Sequence, residues 1–378
     1  MNDVGHDDLG VPPLQDDDVG ATVLGRPPLR DDRTKGGNNM DRKPDFKNIE
    51  KVLRRETPDR PTLFEFFLNW PLYEKLVGKT FDGDLHNDVD RGNFTIQAFK
   101  AAGYDYATVH GSAYRMNPQD KTRISTVSLN ENAPIPDKAA FDAYDWPNPD
   151  DFDYSSIDRL SVPEGMKLMI CGPQGVLENA VDLAGYENLC LQVYDDEQFV
   201  HDLFEKIGTS LLRYYKNSLR SKDIGILMSN DDWGFNTQTM LSLSQMRKFV
   251  LPWHKKIVEL GHDAGIPVVL HSCGNLADLM DDIIDDLKYD AKHSFEDSIL
   301  SIEESYKRWG SRIALLGGID LNYIITKSPE EIRQRSLAML ALGQKGYALG
   351  TGNSVPEYVP DEKYFAMTGA VMTPTEMK

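Results

Sequence analysis

The stretch Pro267-Val268-Val269-Leu270-His271-Ser272-Cys273-Gly274-Asn275 decides the fold. Its first half is an apolar strand body, and its second half is a polar, titratable strand end. A helical pattern over 243–263 leads into it. Another over 276–287 leads out, toward a further strand over 290–294. Strands that alternate with helical patterns read as parallel βαβ units. The unit recurs on both sides, with apolar strand bodies over 61–67, 104–110, 167–171, 225–229, 312–317 and 347–350. Helical patterns fill 88–102, 174–191, 197–220, 299–309, 329–342 and 361–371. Eight units predict an α/β fold, a (β/α)8 TIM barrel, with a Pro- and Asp-rich insertion over about 117–165 after the second strand. An open doubly wound sheet would carry a glycine-rich loop after its first strand. Phe66-Phe67-Leu68-Asn69-Trp70 stands there instead.

Charge and composition narrow the function. The 378 residues hold 41 Lys+Arg against 60 Asp+Glu, a net charge of −19. That excess disfavours a nucleic-acid partner, which requires a basic face. No apolar run approaches the ~18 residues of a membrane span, and the acidic N-terminus has no apolar core of a secretory signal. Three cysteines, Cys171, Cys190 and Cys273, cannot staple a chain of this length and fit a reducing, cytoplasmic compartment. Residues 1–40 lack aromatic side chains, carry eight Asp against four Lys+Arg, and repeat Gly10-Val11-Pro12-Pro13-Leu14 as Gly25-Arg26-Pro27-Pro28-Leu29. Such a segment buries too little to offset ordering entropy, so it reads as a disordered tail or, with Met40 as the start, a mis-assigned one. Residues 41–378 are then the barrel, still strongly acidic.

Barrel active sites lie at the C-terminal strand ends. Those ends carry Glu65, His110, Cys171, Asn230-Asp231-Asp232, His271-Ser272-Cys273, His293, Gly317-Gly318 and Gly350-Thr351-Gly352. In His271-Ser272-Cys273 the residues i and i+2 share one face of a strand, so imidazole and thiol point together. Both are zinc ligands, but zinc needs three or four donors. A buried cysteine beside a hydrogen-bonded histidine, or a Cys/His nucleophile pair, remains an alternative. Of Asp231 and Asp232, adjacent residues, one carboxylate is expected to enter the pocket and serve there as base or ligand; a turn or capping role competes. Glu65, between Phe64 and Phe66, must be paired, metal-bound or protonated. His110 reads as a catalytic or a core histidine. The run Asp281-Asp282…Asp285-Asp286 reads as a solvated helix face.

Taken together, Arg54-Arg55-Glu56-Thr57-Pro58-Asp59-Arg60, Asn230-Asp231-Asp232-Trp233-Gly234, His271-Ser272-Cys273-Gly274-Asn275, Leu316-Gly317-Gly318-Ile319-Asp320 and Gly350-Thr351-Gly352-Asn353 resemble the uroporphyrinogen decarboxylase (URO-D) superfamily. The resemblance implies a (β/α)8 barrel and one of two activities. The haem-pathway decarboxylases of porphyrin biosynthesis carry an Arg-rich loop after the first strand and an Asp at the second strand end. This chain has Glu65-Phe66-Phe67 and His110 there. The corrinoid-dependent methyltransferases bind zinc through an H-x-C pair and a later Cys. This chain keeps His271 and Cys273 and has Thr351 where the later Cys is expected, so Glu65, Asp231 or His110 is the implied substitute. The resemblance therefore implies zinc-dependent methyl transfer between a small methylated substrate or thiol and a corrinoid (cobalamin) carried by a separate protein. Metal ligands are then His271, Cys273 and Glu65, catalytic groups are Asp231, Glu65 and His110, and the chain is expected to form a homodimer. A decarboxylase, or a non-catalytic metal- or ligand-binding barrel, is the alternative.

Overall fold

The computed structural model describes residues 42–118, 129–130 and 133–372. The expected tail over 1–40 lies outside them, as does part of the expected insertion.

Seven strands form one parallel sheet: β1 (Tyr106–His110), β2 (Lys167–Cys171), β3 (Ile224–Asn230), β4 (Val268–His271), β5 (Ala291–His293), β6 (Ala314–Leu316) and β7 (Tyr347–Ala348). They pair in sequence order, each strand with the next. Both faces are covered, so every residue of β3, β4, β5, β6 and β7 is buried. That is why their bodies read as continuous rather than alternating apolar runs. The sheet curls, an α/β architecture consistent with a TIM-like barrel.

The predicted first strand over 61–67 is not one. It makes a single parallel bridge, Leu63 to Leu349, through Phe64 N–H to the Leu349 carbonyl (2.8 Å) and Leu349 N–H to the Thr62 carbonyl (2.9 Å). On the side toward β1, a side chain replaces the ladder. The Tyr106 hydroxyl accepts from Glu65 N–H (2.8 Å) and donates to the Glu65 carbonyl (2.5 Å). The segment lies between the two edges of the sheet without being zipped to both.

Register fixes which side chains share a face. His110 pairs with Cys171, Asn230 with His271, and His271 with His293. The rings of Phe66 and His271 lie 4.7 Å apart, although Phe66 belongs to the segment beside β1 and β7 while β4 is mid-sheet. That contact is made across the concave interior, so His271 faces inward.

Helices cover the outside. The longest, Glu197–Ser218, is capped by Asp196 accepting from Phe199 N–H (3.0 Å). It buries Phe199, Leu203, Phe204, Ile207, Leu211 and Tyr214, an i, i+3, i+4 stripe. The predicted helix over 174–191 is two, Val176–Ala184 and Tyr186–Asp195, broken at Gly185 with φ of +80°. The predicted helix over 276–287 is a 3-10 turn and a π turn. Of its acidic run Asp281, Asp285 and Asp286 are exposed and Asp282 is half-buried, and all four are paired: Arg312 bonds Asp281 (2.7 Å) and Asp285 (2.5 Å), Arg247 bonds Asp282 and Lys255 bonds Asp286. No helix among the described residues is long and apolar enough to cross a membrane.

Candidate metal centre at the strand ends

His271 ends β4, and Cys273 follows it by two residues. Their side chains converge with Asp232, two residues beyond β3. The His271 Nε2 lies 3.8 Å from the Cys273 sulfur and 4.0 Å from Asp232 Oδ1. All three ligand atoms lie within 4.8 Å of one another. Cys273 N–H donates to Asp232 Oδ1 (2.9 Å), and the Asn353 carboxamide donates to the thiol sulfur (3.3 Å). His271 and Cys273 are buried, whereas the Asp232 side chain is 27% exposed and opens the cluster to the mouth. The two loops meet backbone to backbone. Gly274 has φ of +86°, and a Cβ there would sit 2.1 Å from the Gly234 carbonyl oxygen. Glycine at 274 is thus what lets the β3 loop bring Asp232 to Cys273.

The hydrogen bonds behind His271 leave one proton arrangement. His293 Nε2 faces the Thr351 carbonyl (3.3 Å), an acceptor only, so Nε2 carries the proton. His293 Nδ1 is then an acceptor, and His271 Nδ1, 2.8 Å away, donates to it. The His271 Nε2 lone pair is left facing the thiol and Asp232. A histidine that ligates a metal donates its other ring N–H to a positioning acceptor in this way. Burial pushes the His293 imidazole down to about 3 and that of His271 well down, so both rings are neutral.

The donor set fits zinc: one neutral imidazole nitrogen, one thiol and one carboxylate. Burial, then the Asp232 charge, raises the Cys273 thiol well above its usual range. Burial also raises the Asp232 carboxyl, against a partly compensating hydrogen bond from Cys273 N–H. A divalent cation offsets both penalties at once.

Asp231, the other carboxylate of the pair, points away. Its oxygens accept from Leu177 N–H (2.9 Å), Glu178 N–H (2.8 Å) and Trp233 Nε1 (2.9 Å), and lie 2.8 Å from His254 Nε2. It caps the helix Val176–Ala184 from a neighbouring strand end. Glu65 is bound to Thr351 through its N–H (2.7 Å) and hydroxyl (2.5 Å). The Thr351 hydroxyl also contacts the Asn353 carbonyl, which only accepts. The hydroxyl donates to Glu65 Oε2. Burial, against these bonds, raises the Glu65 carboxyl to about 8. His110, at the end of β1, lies with Nδ1 3.3 Å from the Cys171 sulfur and does not join the cluster. Of the expected site residues, the structure thus brings together His271 and Cys273, and sets Asp231, Glu65 and His110 in other contacts.

Three groups here escaped the sequence reading. Asp232 was one of two equivalent neighbours. Glu178 was signalled by the Gly175-to-Glu178 spacing of a helix start, where its carboxylate accepts from Gly175 N–H (2.9 Å). Burial, then Asp232 and Asp231, push its carboxyl well up. Lys292, alternating with His293, points to the opposite face. Its ammonium donates to the carbonyls of Ser294 (2.6 Å) and Ser272 (3.4 Å), bracing the β4 and β5 ends, and burial lowers it to about 8.

Residues 167–373, over half of the chain, match the family model Uroporphyrinogen decarboxylase (URO-D). No curated protein matches the chain. Among solved structures the fold is similar to that of a methyltransferase from Methanosarcina mazei, at 13% identity and a TM-score of 0.64, over 87% of this chain and 98% of the other. With its parallel sheet and its strand-end motifs, the chain belongs to the uroporphyrinogen decarboxylase family.

Proposed function

We propose that the chain is a zinc-dependent methyltransferase, working on a (β/α)8 barrel whose first strand position is filled by the 62–66 segment. It passes a methyl group between a small methylated substrate or thiol and a corrinoid carried by a separate protein. The observation that supports this reading is the Asp232–His271–Cys273 cluster, with the His271 Nε2 lone pair directed into it. Zinc held there supplies Lewis acidity, which lowers the pKa of a thiol or withdraws charge from a methoxy or amine donor. His271, Cys273 and Asp232 would hold it. Asn353 donates to the Cys273 sulfur and so stabilises its negative form. Phe67, half-buried with its ring 4.4 Å from that of the buried Phe66, gives the substrate an apolar seat.

Metal analysis tests the reading. Purified wild type is expected to take up one zinc per chain, and His271→Ala and Cys273→Ser to lose it while keeping the folded far-UV spectrum. Wild type without stoichiometric zinc after loading, together with an unchanged His271→Ala, would sink it. Decarboxylation of uroporphyrinogen by the metal-free protein would establish the alternative.

A further inference from the structure

A cavity of about 530 Å³ lies outside the metal centre, between the end of the helix Glu197–Ser218 and the chain over 150–158. Arg213, Lys216 and Asn217 line one wall. They stand at i, i+3 and i+4, so they share one helix face. Arg220, just past the helix end, joins them: its Nη2 donates to Asn217 Oδ1 (2.6 Å). The facing wall presents two half-buried rings, Phe152 and Tyr154. Tyr154 packs on Tyr214, with centroids 5.8 Å apart, and the Tyr214 hydroxyl donates to the Cys171 carbonyl (2.9 Å). The wall of the cavity is thereby fastened to the end of β2.

Much of the charge in the cavity is already paired. Asp150 bonds Arg213 and accepts from the Asn217 carboxamide (2.7 Å), and Asp153 bonds Arg159 (3.0 Å). Among the described residues two lining cations, Lys216 and Arg220, are then left without a carboxylate, against one lining carboxylate, Asp158, without a cation. In a chain with 60 acids to 41 bases the local balance is reversed. The Tyr154 hydroxyl marks the same place. It is buried, and Ser112 and Asn217 lie near it without hydrogen-bonding geometry. A buried polar group without a partner is costly, and a ligand oxygen in the cavity removes that cost. Cations at a helix end complement its dipole, but a dipole requires neither a cavity nor an unbonded phenol.

We propose that this cavity binds a phosphate monoester with a flat aromatic body, the size of a nucleoside monophosphate. Lys216 and Arg220 hold the phosphate, the Tyr154 hydroxyl donates to it, and Phe152 with the Tyr154 ring seats the aromatic body. A carboxylate offers only two oxygens. A guanidinium, an ammonium and a phenol together suit the three terminal oxygens of a phosphate monoester, whose charge offsets both cations. The volume suits a ligand of that size. The site does not depend on the methyl-transfer reading.

Adenosine 5′-monophosphate (AMP) and adenosine, which differ by the phosphate, are the probes. Calorimetric titration of zinc-free wild type is expected to show AMP binding about tenfold tighter than adenosine or more, with the preference shrinking as NaCl is raised. Inorganic phosphate is expected to bind more weakly than AMP. The double variant Lys216→Gln, Arg220→Gln changes two exposed side chains and is expected to lose the preference at an unchanged melting temperature. Tyr154→Phe is expected to weaken AMP binding about threefold or more without lowering the melting temperature, because the hydroxyl it removes has no partner to lose. No AMP binding by folded wild type, equal binding of AMP and adenosine, or a preference that survives the double variant overturns the site. Inorganic phosphate binding as tightly as AMP overturns the aromatic half of the assignment. Unchanged AMP binding by a destabilised Tyr154→Phe makes the hydroxyl structural and overturns its role.

Discussion

Two cysteine–histidine pairs face each other across the mouth, and only one has the surroundings of a metal site. At the end of β4, Cys273 and His271 sit with a carboxylate, and the imidazole lone pair is aimed at both by a second histidine. At the ends of β1 and β2, Cys171 and His110 sit closer, at 3.3 Å, but with arginines as their charged neighbours. Burial raises the Cys171 thiol to about 12, and burial with Arg115 and Arg91 keeps His110 unprotonated. Thiol and imidazole there form a neutral pair, as they do at Cys273 and His271, but among the described residues no carboxylate joins them. The difference teaches that residue types do not set the chemistry. The carboxylate beside the pair and the direction of one lone pair do.

The sharpest break in that comparison comes from the two adjacent aspartates. Asp231→Ala removes a buried acceptor from two backbone N–H groups, an indole and His254. Each buried donor left unsatisfied costs about 1–3 kcal/mol, so the expected loss is at least about 3 kcal/mol of unfolding free energy, measured by urea denaturation. Asp232→Ala is expected to cost under ~1 kcal/mol and to abolish zinc binding. A stable Asp231→Ala that loses zinc would reverse the two assignments.

Next in size is a pH effect at Glu65. The unfolded carboxyl titrates near 4.5 and the folded one near 8, so folding retains a proton between those values. Its contribution is intact below about pH 4.5 and is lost as pH rises through about 8. The slope is about 1.4 kcal/mol per pH unit. Stability is expected to fall by about 3 kcal/mol more in wild type than in Glu65→Gln between pH 5.5 and 8. The glutamine keeps both bonds to Thr351: its amide donates to the hydroxyl and its carbonyl accepts the N–H. Parallel pH profiles for the two proteins would mean that Glu65 is ionised, and would return it to the list of candidate ligands.

These cases show what the sequence makes legible. Strand bodies such as Val268-Val269-Leu270 are buried on both faces, so their apolar runs survive any detail of packing. His271 and Cys273 were readable because an i, i+2 rule holds while a strand lasts. Asp231 and Asp232 lie past the end of β3, where alternation no longer applies. What separates them is the helix start at Leu177 and Glu178, 50-odd residues earlier. The first strand failed for a similar reason: Tyr106, a side chain, took hydrogen bonds that a strand pattern assigns to backbone. His293 lies in a legible strand, yet its role depends on the Thr351 carbonyl, and carbonyls carry no sequence signal.

His293 gives a smaller expected effect. His293→Phe keeps a ring against Phe64 and removes the acceptor for His271 Nδ1. Loss of such a positioning bond typically lowers metal affinity about 10–100-fold. Competition with a zinc chelator is expected to show that drop, with stoichiometry still reaching one at high zinc. Unchanged affinity would mean that His271 is oriented by packing on Phe66 alone.

The smallest expected effect tests the comparison from its other side. Cys171 is chemically the same ligand as Cys273, and its histidine is nearer, so a reading based on residue type makes it the better site. The structure says otherwise, because among the described residues zinc at Cys171 and His110 would find no carboxylate, and it would sit against the charge of Arg115. Cys171→Ser is therefore expected to leave zinc stoichiometry at one and affinity within about twofold, while Cys273→Ser loses the metal. Its stability cost is also expected to be small, about 1 kcal/mol, since the serine hydroxyl can donate to the Val109 carbonyl that the thiol already approaches at 3.6 Å. A second zinc per wild-type chain that disappears with Cys171→Ser would show that proximity of thiol and imidazole outweighs the opposing charge.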